Sequence, residues 1–241
     1  MKRLIITTTT CFVVLISNSQ EYFQQKVNTY IDVELDDENH ILRGFEKMVY
    51  YNNSSLNLDK IIIHLWPNAY KNSNTNLAKQ KYSDGNISFK YADSIDLGYI
   101  DSLDFKVNGE IVKWQFLNEQ IDISELLLTK PLTPGDSIII TTPFRVKIPS
   151  GKFSRLGHIG QSYQITQWFA KPAVFDKNGW HPMSYLDQGE FFSEFGNYDV
   201  SITVPKNYVL MATGDLQNEE ELEFLNEKAE LTSQLIKENK L

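Results

Sequence analysis

Leu103-Asp104-Phe105-Lys106-Val107-Asn108-Gly109-Glu110-Ile111-Val112-Lys113-Trp114-Gln115-Phe116 decides the fold class of this chain. Leu103, Phe105 and Val107 alternate with Asp104 and Lys106, and Val112, Trp114 and Phe116 alternate with Lys113 and Gln115. A period of two places one apolar and one polar face on a strand. Asn108-Gly109 stands between the two runs and tolerates the positive φ angles of a type I′ turn, whose twist suits a hairpin. The segment therefore predicts an antiparallel β-hairpin.

Similar runs recur on both sides of it. Val27 to Asp36 alternates, and Phe45 to Tyr51 is rich in aromatic and apolar residues. Ile61-Ile62-Ile63 followed by Leu65-Trp66 reads as a buried strand that Pro67 ends. Thr133-Pro134-Gly135-Asp136 reads as a turn, with a strand over Ser137 to Thr142 after it. Tyr198 to Val204 alternates up to Pro205. Closely spaced strands separated by turn signals predict an all-β fold, a large antiparallel sheet or β-sandwich. Asn68 to Asp96 is polar and reads as an irregular excursion with a short helix near Leu77 to Gln80. Asn218 to Lys240 has neither Gly nor Pro, and Leu222, Leu225, Ala229 and Leu235/Ile236 fall at helical spacing. This predicts a charged, solvated C-terminal helix with Glu early and Lys late, which suits its dipole.

With 241 residues and 41% hydrophobic content, the chain can bury the core of one large β-domain or two small ones. The formal charge of −8 argues against a nucleic-acid partner, which would require a positive field. Lys2 and Arg3, the apolar run Leu4 to Ile16 and Ser17-Asn18-Ser19 read as a signal peptide cleaved after Ser19. A short membrane anchor is the competing reading, but a span needs about 20 apolar residues. Cleavage removes two positive charges and Cys11, the only cysteine. The mature protein is then expected to be secreted or periplasmic, with no stable membrane span and no thiol chemistry.

The four histidines, His40, His64, His158 and His181, lie far apart in sequence, and no HExxH, H-x-H or HxxxH pair occurs. No metal site is therefore read in this chain. There is neither a G-x-S-x-G elbow nor a P-loop. Asp187, Glu190 and Glu194 crowd one loop with Trp180, Tyr185, Phe191 and Phe192, an arrangement that suits sugar or cation binding or acid–base work. A solvated acidic loop on a hydrophobic anchor is the simpler reading.

Several segments resemble the N-terminal β-domain of the aminopeptidase N-type zinc metallopeptidases, especially a bacterial subgroup. They are His64-Leu65-Trp66-Pro67-Asn68-Ala69-Tyr70, Thr166-Gln167, and Asp187-Gln188-Gly189-Glu190-Phe191-Phe192-Ser193-Glu194-Phe195-Gly196 leading into Tyr198 to Pro205 and Ala212-Thr213-Gly214. The resemblance implies a saddle-like domain whose Thr-Gln strand borders the substrate cleft, with Gln167, Trp168 and Phe169 facing the peptide N-terminus. It implies zinc in a full-length parent and none held by this chain. The partners it implies are a C-terminal catalytic domain and a peptide substrate. Phe169 stands where many members carry Gln or Glu, and Phe175-Asp176 retains only part of a Pro-Cys-x-Asp-Glu-Pro stretch. Neither Gly-x-Met-x-Asn nor HExxH occurs here, so the chain alone is expected to be inactive. The expected organisation is a signal at 1–19, a β-rich domain at 20–216 and a helix at 217–241 leading toward a catalytic domain. The alternative is a free-standing β-sandwich module that binds carbohydrate or peptide through Trp168, Trp180 and Tyr185.

Overall fold

A computed structural model describes residues 22–189 and 191–240. The expected signal peptide, Cys11 and Glu190 lie outside the described residues. In chain order the strands are β1 (Lys26–Asp36), β2 (Ile41–Tyr51), β3 (Leu58–His64), β4 (Tyr99–Asp101), β5 (Lys106–Val107), β6 (Glu110–Ile111), β7 (Lys113–Leu117) and β8 (Gln120–Leu132). They continue as β9 (Ser137–Lys147), β10 (Gly157–Ile159), β11 (Ser162–Gln164), β12 (Lys171–Pro172), β13 (Val174–Asp176), β14 (Gly179–His181) and β15 (Gly196–Thr203). Helix α1 covers Asn76–Ser83 and α2 covers Glu219–Lys237. The fold is thus β-rich with a C-terminal helix. Among the described residues no helix is long and apolar enough to cross a membrane.

The chain divides into two units, 1–202 and 203–241. In the first, the larger sheet runs β15-β1-β2-β9-β5-β6, with β4 also paired to β9. Strands β1, β2 and β9 are antiparallel and in full register, so alternate residues form rows across the sheet. The buried face carries Val27, Ile31, Val33, Leu35, Leu42, Met48, Tyr50, Ile138, Ile140, Phe144 and Val146. One row on this face is Ile31–Glu46–Thr142, and both of its polar members are fully buried. Ile139 turns its amide and carbonyl toward Asn108, so by two-residue alternation Pro143 also faces that side. There Pro143 falls between the short pairings of β5 and β4 and interrupts no ladder.

The smaller sheet runs β12-β3-β8-β7. Ile61, Ile62 and Ile63 are all buried, as an unbroken apolar run predicts for a strand covered on both faces. The hairpin read at 103–116 forms only in part. Asn108 and Gly109 both take positive φ, at 52° and 86°, as the turn requires. The second arm, however, leaves the larger sheet after Ile111, and Lys113–Leu117 pairs with β8 instead. Buried Val112 is the crossing point and donates its amide to Phe105. Trp66 does not extend β3; Trp66–Tyr70 is a 3₁₀ turn that admits Pro67 near its start.

The excursion at 68–96 is more ordered than its polarity suggests. Five of its apolar residues, Ala69, Tyr70, Leu77, Ala78 and Phe89, join Trp66, Phe153, Leu156 and Tyr185 in a separate buried cluster. Thr75 caps α1 by accepting the Ala78 amide at 3.2 Å. In the second unit, Asn218 caps α2 through the Glu221 amide, and no residue of α2 is buried. This matches the expected solvated helix.

Gly44 faces the buried side of β2, where an added Cβ would lie 2.4 Å from the Asp32 carbonyl oxygen and 2.5 Å from Phe144 Cζ. Gly44→Ala should destabilise the domain by ~2–4 kcal/mol, because backbone on one side cannot yield. Urea unfolding followed by circular dichroism measures this.

Candidate functional site

The segment Thr166–Ala170 leaves the β10–β11 hairpin and feeds β12, whose two residues pair with β3 as Lys171↔His64 and Pro172↔Ile63. Gln167 takes φ +54°, a strained setting for a side-chain-bearing residue. Its Oε1 accepts a hydrogen bond from Lys171 Nζ at 3.2 Å, which leaves the carboxamide NH₂ as the outward donor. Trp168 packs on Phe144 at 5.9 Å, and Phe169 packs on Trp168 at 5.3 Å and on Tyr198 at 6.0 Å. All three sequence-predicted cleft residues are half-buried, with Trp168 set against the aromatic cluster.

Beneath this segment lies an unusual set of titratable groups. Lys171 Nζ sits 4.5 Å over the Trp66 ring, and burial pushes its pKa down to about 8. His64 stacks on Trp66 at 4.5 Å with an interplanar angle of 15°. Burial, reinforced by the Lys171 charge, pushes His64 down to about 3. Its Nε2 accepts the Met183 amide at 3.2 Å, so the neutral ring carries its hydrogen on Nδ1. That nitrogen is buried and without a partner among the described residues. The buried His64 ring is thus satisfied at one nitrogen and not at the other.

Glu46 is fully buried, and burial drives its pKa well up, opposed only by the Ala170 amide. Neither carboxyl oxygen has a hydrogen-bond partner of full geometry among the described residues. Burial, with Glu46 nearby, also raises Tyr198. Clusters of displaced pKa values mark functional sites more often than ordinary surface does. Sequence reasoning missed Glu46 because nothing in the Phe45–Tyr51 run tells which face it occupies.

The acidic loop is held from within. Burial raises Asp187, but a 2.6 Å bond from Lys81 and another from Ser154 outweigh it and hold the carboxyl low. Burial raises Glu194 on balance, although the Gln24 side chain and the Phe175 and Gln25 amides all bond to its carboxylate. Gln80 ties down the amides of Asp187 and Gln188, and Asp122 accepts the Tyr185 amide. These bonds are tethers that hold the loop in place.

The histidines do not gather around a metal. His181 bonds Asp176 at 2.7 Å, while His40 and His158 stack with ring centroids 3.6 Å apart and an interplanar angle of 19°. Near-parallel rings send their in-plane lone pairs side by side, whereas zinc needs donors converging at 2.0–2.1 Å. Among the described residues no group of three or more metal-ligating side chains occurs. These residues do not fit a zinc ion, and no step is assigned through one.

No family model matches the chain, and no curated protein matches it. Among solved structures it is similar to a point mutant of an M1 zinc metallopeptidase from Deinococcus radiodurans, with 13% identity over 77% of this chain and 33% of that one and a TM-score of 0.37. A two-domain M1 zinc metallopeptidase mutant bound to L-arginine gives 14% identity, 82% and 37% coverage, and a TM-score of 0.37. Native yeast LTA4 hydrolase gives 11%, 54% and 17%, with a TM-score of 0.31. The chain thus spans little more than a third of these proteins at most, and values this low do not identify it with them.

A raised carboxyl pKa stabilises the fold below the ordinary value of 4.5, and that contribution is lost as pH rises through the folded value. Glu46→Gln should therefore raise stability at pH 8, by roughly 1–3 kcal/mol, with the gain vanishing toward pH 4.5. His64 has the opposite sign. Its contribution is complete above the ordinary 6.5 and is lost as pH falls toward about 3, so the His64→Phe variant should show a flatter acid limb. Thermal melts of the three proteins from pH 4 to 8 measure both effects.

Proposed function

We propose that this chain is the N-terminal domain of an exported zinc metallo-aminopeptidase-like protein. In this reading a signal occupies 1–19, a saddle-like or sandwich β-domain occupies 20–216, and the helix at 217–241 leads toward a catalytic domain. The domain walls one side of a peptide cleft, with Gln167, Trp168 and Phe169 toward the peptide N-terminus. The zinc, its ligands and the general base belong to the C-terminal catalytic domain, where the metal would polarise the scissile carbonyl and activate water.

The sequence resemblance at 64–70, 166–167 and 187–214 supports this reading. The observation that carries it is an exposed apolar strip at 192–200, beside Phe169. Phe192, Phe195, Tyr198 and Val200 are 48%, 83%, 50% and 39% exposed, although Tyr198 and Val200 alternate along β15 as a covered strand would. Apolar strips of this kind mark surfaces that meet another domain or protein. The rival sugar-binding module needs accessible stacking platforms. Tyr185 is fully buried, Trp180 packs on Phe175 at 5.0 Å, and Trp168 packs on Phe144. These rings are committed to internal packing, which favours the domain reading.

Purified residues 20–241 should hydrolyse no aminoacyl anilide above buffer, with or without zinc, and should give flat titrations with glycans. Zinc-dependent hydrolysis by this chain, or saturable glycan binding, would overturn the reading. Gene sequence beyond codon 241 should encode an in-frame HExxH. Phe195→Ser should lower the binding of an apolar dye while leaving stability within about 0.5 kcal/mol of the parent.

A further inference from the structure

The stacked pair of His40 and His158 takes no part in the site above, yet it joins two distant pieces of chain. His40 ends the turn between β1 and β2 and is held at φ +54°, with its carbonyl accepting the Ile148 amide. His158 belongs to β10, the first strand of the hairpin that precedes Thr166. Hydrogen bonding fixes the protonation pattern of both rings. The Tyr163 hydroxyl donates to the Asp37 carbonyl at 3.2 Å, so it accepts from His40 Nδ1–H at 2.7 Å. The Gly160 carbonyl can only accept, so His158 Nδ1 carries a hydrogen toward it at 3.0 Å. A further proton on either ring must therefore enter at Nε2.

We propose that the β10–β11 hairpin is an acid-released flap, its tip docked on the 37–40 turn while His40 and His158 are neutral and freed when both are protonated. A single imidazolium can stack on a neutral ring, but two like charges 3.6 Å apart repel strongly at the edge of a protein. The two protons must therefore bind in separate, coupled steps. Other charges face the pair from every packed element. Asp36 and Asp37 on the turn favour the charged His40, whereas Lys147 on β9 opposes it, and Arg43 on β2 partly occupies Asp36 at 3.7 Å. Tyr163 on β11 completes the shell. The balance is set by burial and by His158, which together hold His40 below the ordinary histidine range. Neutral docking therefore gives stability that is complete above about pH 6.5 and is lost as pH falls.

Gln161 reaches Asp37 at 3.2 Å, and Tyr163 makes the bonds given above. The hairpin's base is tied separately, through the His158 amide to Pro149 and the Gly151 amide to His158, so its tip can leave while the base stays.

Amide hydrogen exchange from pH 7.5 to 5.0, corrected for intrinsic rates, tests this on the full chain. Protection at 159–163 should fall about tenfold, while the His158 amide and those of β2 and β9 keep theirs. Proton NMR should show the His40 ring titrating below the ordinary histidine range. His158→Phe keeps a ring on His40 and removes the second charge, so its hairpin should stay protected throughout. His40→Asn tolerates the positive φ but removes the ring, so its hairpin should be unprotected at both pH values. An unchanged hairpin in the wild type, an equal acid response in His158→Phe, or loss of protection shared equally by β2 and β9 would each overturn the proposal.

Discussion

The two-residue ladder between β12 and β3 fixes almost everything at the candidate site. By setting Lys171 opposite His64 and Pro172 opposite Ile63, it anchors one end of the Thr166–Ala170 segment to the most deeply buried strand of the smaller sheet. The same pairing brings the Lys171 ammonium over Trp66, against which His64 is stacked. Lys171 then bonds Gln167 and so orients the carboxamide that faces outward. Pro172 suits its place at the outer strand of this sheet, where a missing donor interrupts nothing. A slip of one residue would turn Lys171 to the other face and dismantle this arrangement.

The site is expensive to hold. A fully buried carboxyl whose oxygens make no hydrogen bond of full geometry among the described residues, a buried imidazole with one orphaned nitrogen and a desolvated ammonium each oppose folding. They are held by rigid surroundings: the registered three-strand face around Glu46, and the aromatic cluster of Trp66, Tyr70, Phe153 and Tyr185 beside His64. Asp122 on β8 and Asp187 in the acidic loop press that loop onto the cluster through their bonds to the Tyr185 amide and to Lys81. Structural carboxylates thus brace a region where other titratable groups are left strained, the combination expected where stability is given up for function.

Much of the fold was legible because strands write their period into the sequence. The alternation of β1, the Asn108-Gly109 turn and the helical spacing along α2 all rest on local chemistry. What remained illegible was non-local. Nothing in Val112 announces that the chain changes sheets there, since alternation is the same in either sheet. The β7–β8 turn places Asn118 and Glu119 at φ 48° and 65°, and a glutamate in that setting gives no turn signal. The polar stretch at 68–96 hid a core cluster because its few apolar residues meet partners drawn from 153–185. Gln167 and its neighbours were found through resemblance, whereas Glu46 and the His40–His158 stack depend on register and on contacts between distant segments.

The alternation of β15 points furthest toward function. Tyr198, Val200 and Ile202 repeat the pattern that buries Val27, Ile31 and Val33 in the adjoining β1, yet Tyr198 and Val200 remain open. A period-two apolar row costs solubility and invites aggregation unless something covers it. The sequence therefore specifies a covered strand at a place where the first unit supplies no cover among its described residues. Local pattern and tertiary burial agree along β1, β2 and β9 and disagree at β15. That disagreement lies beside Phe169, where the proposed cleft wall would meet its catalytic neighbour.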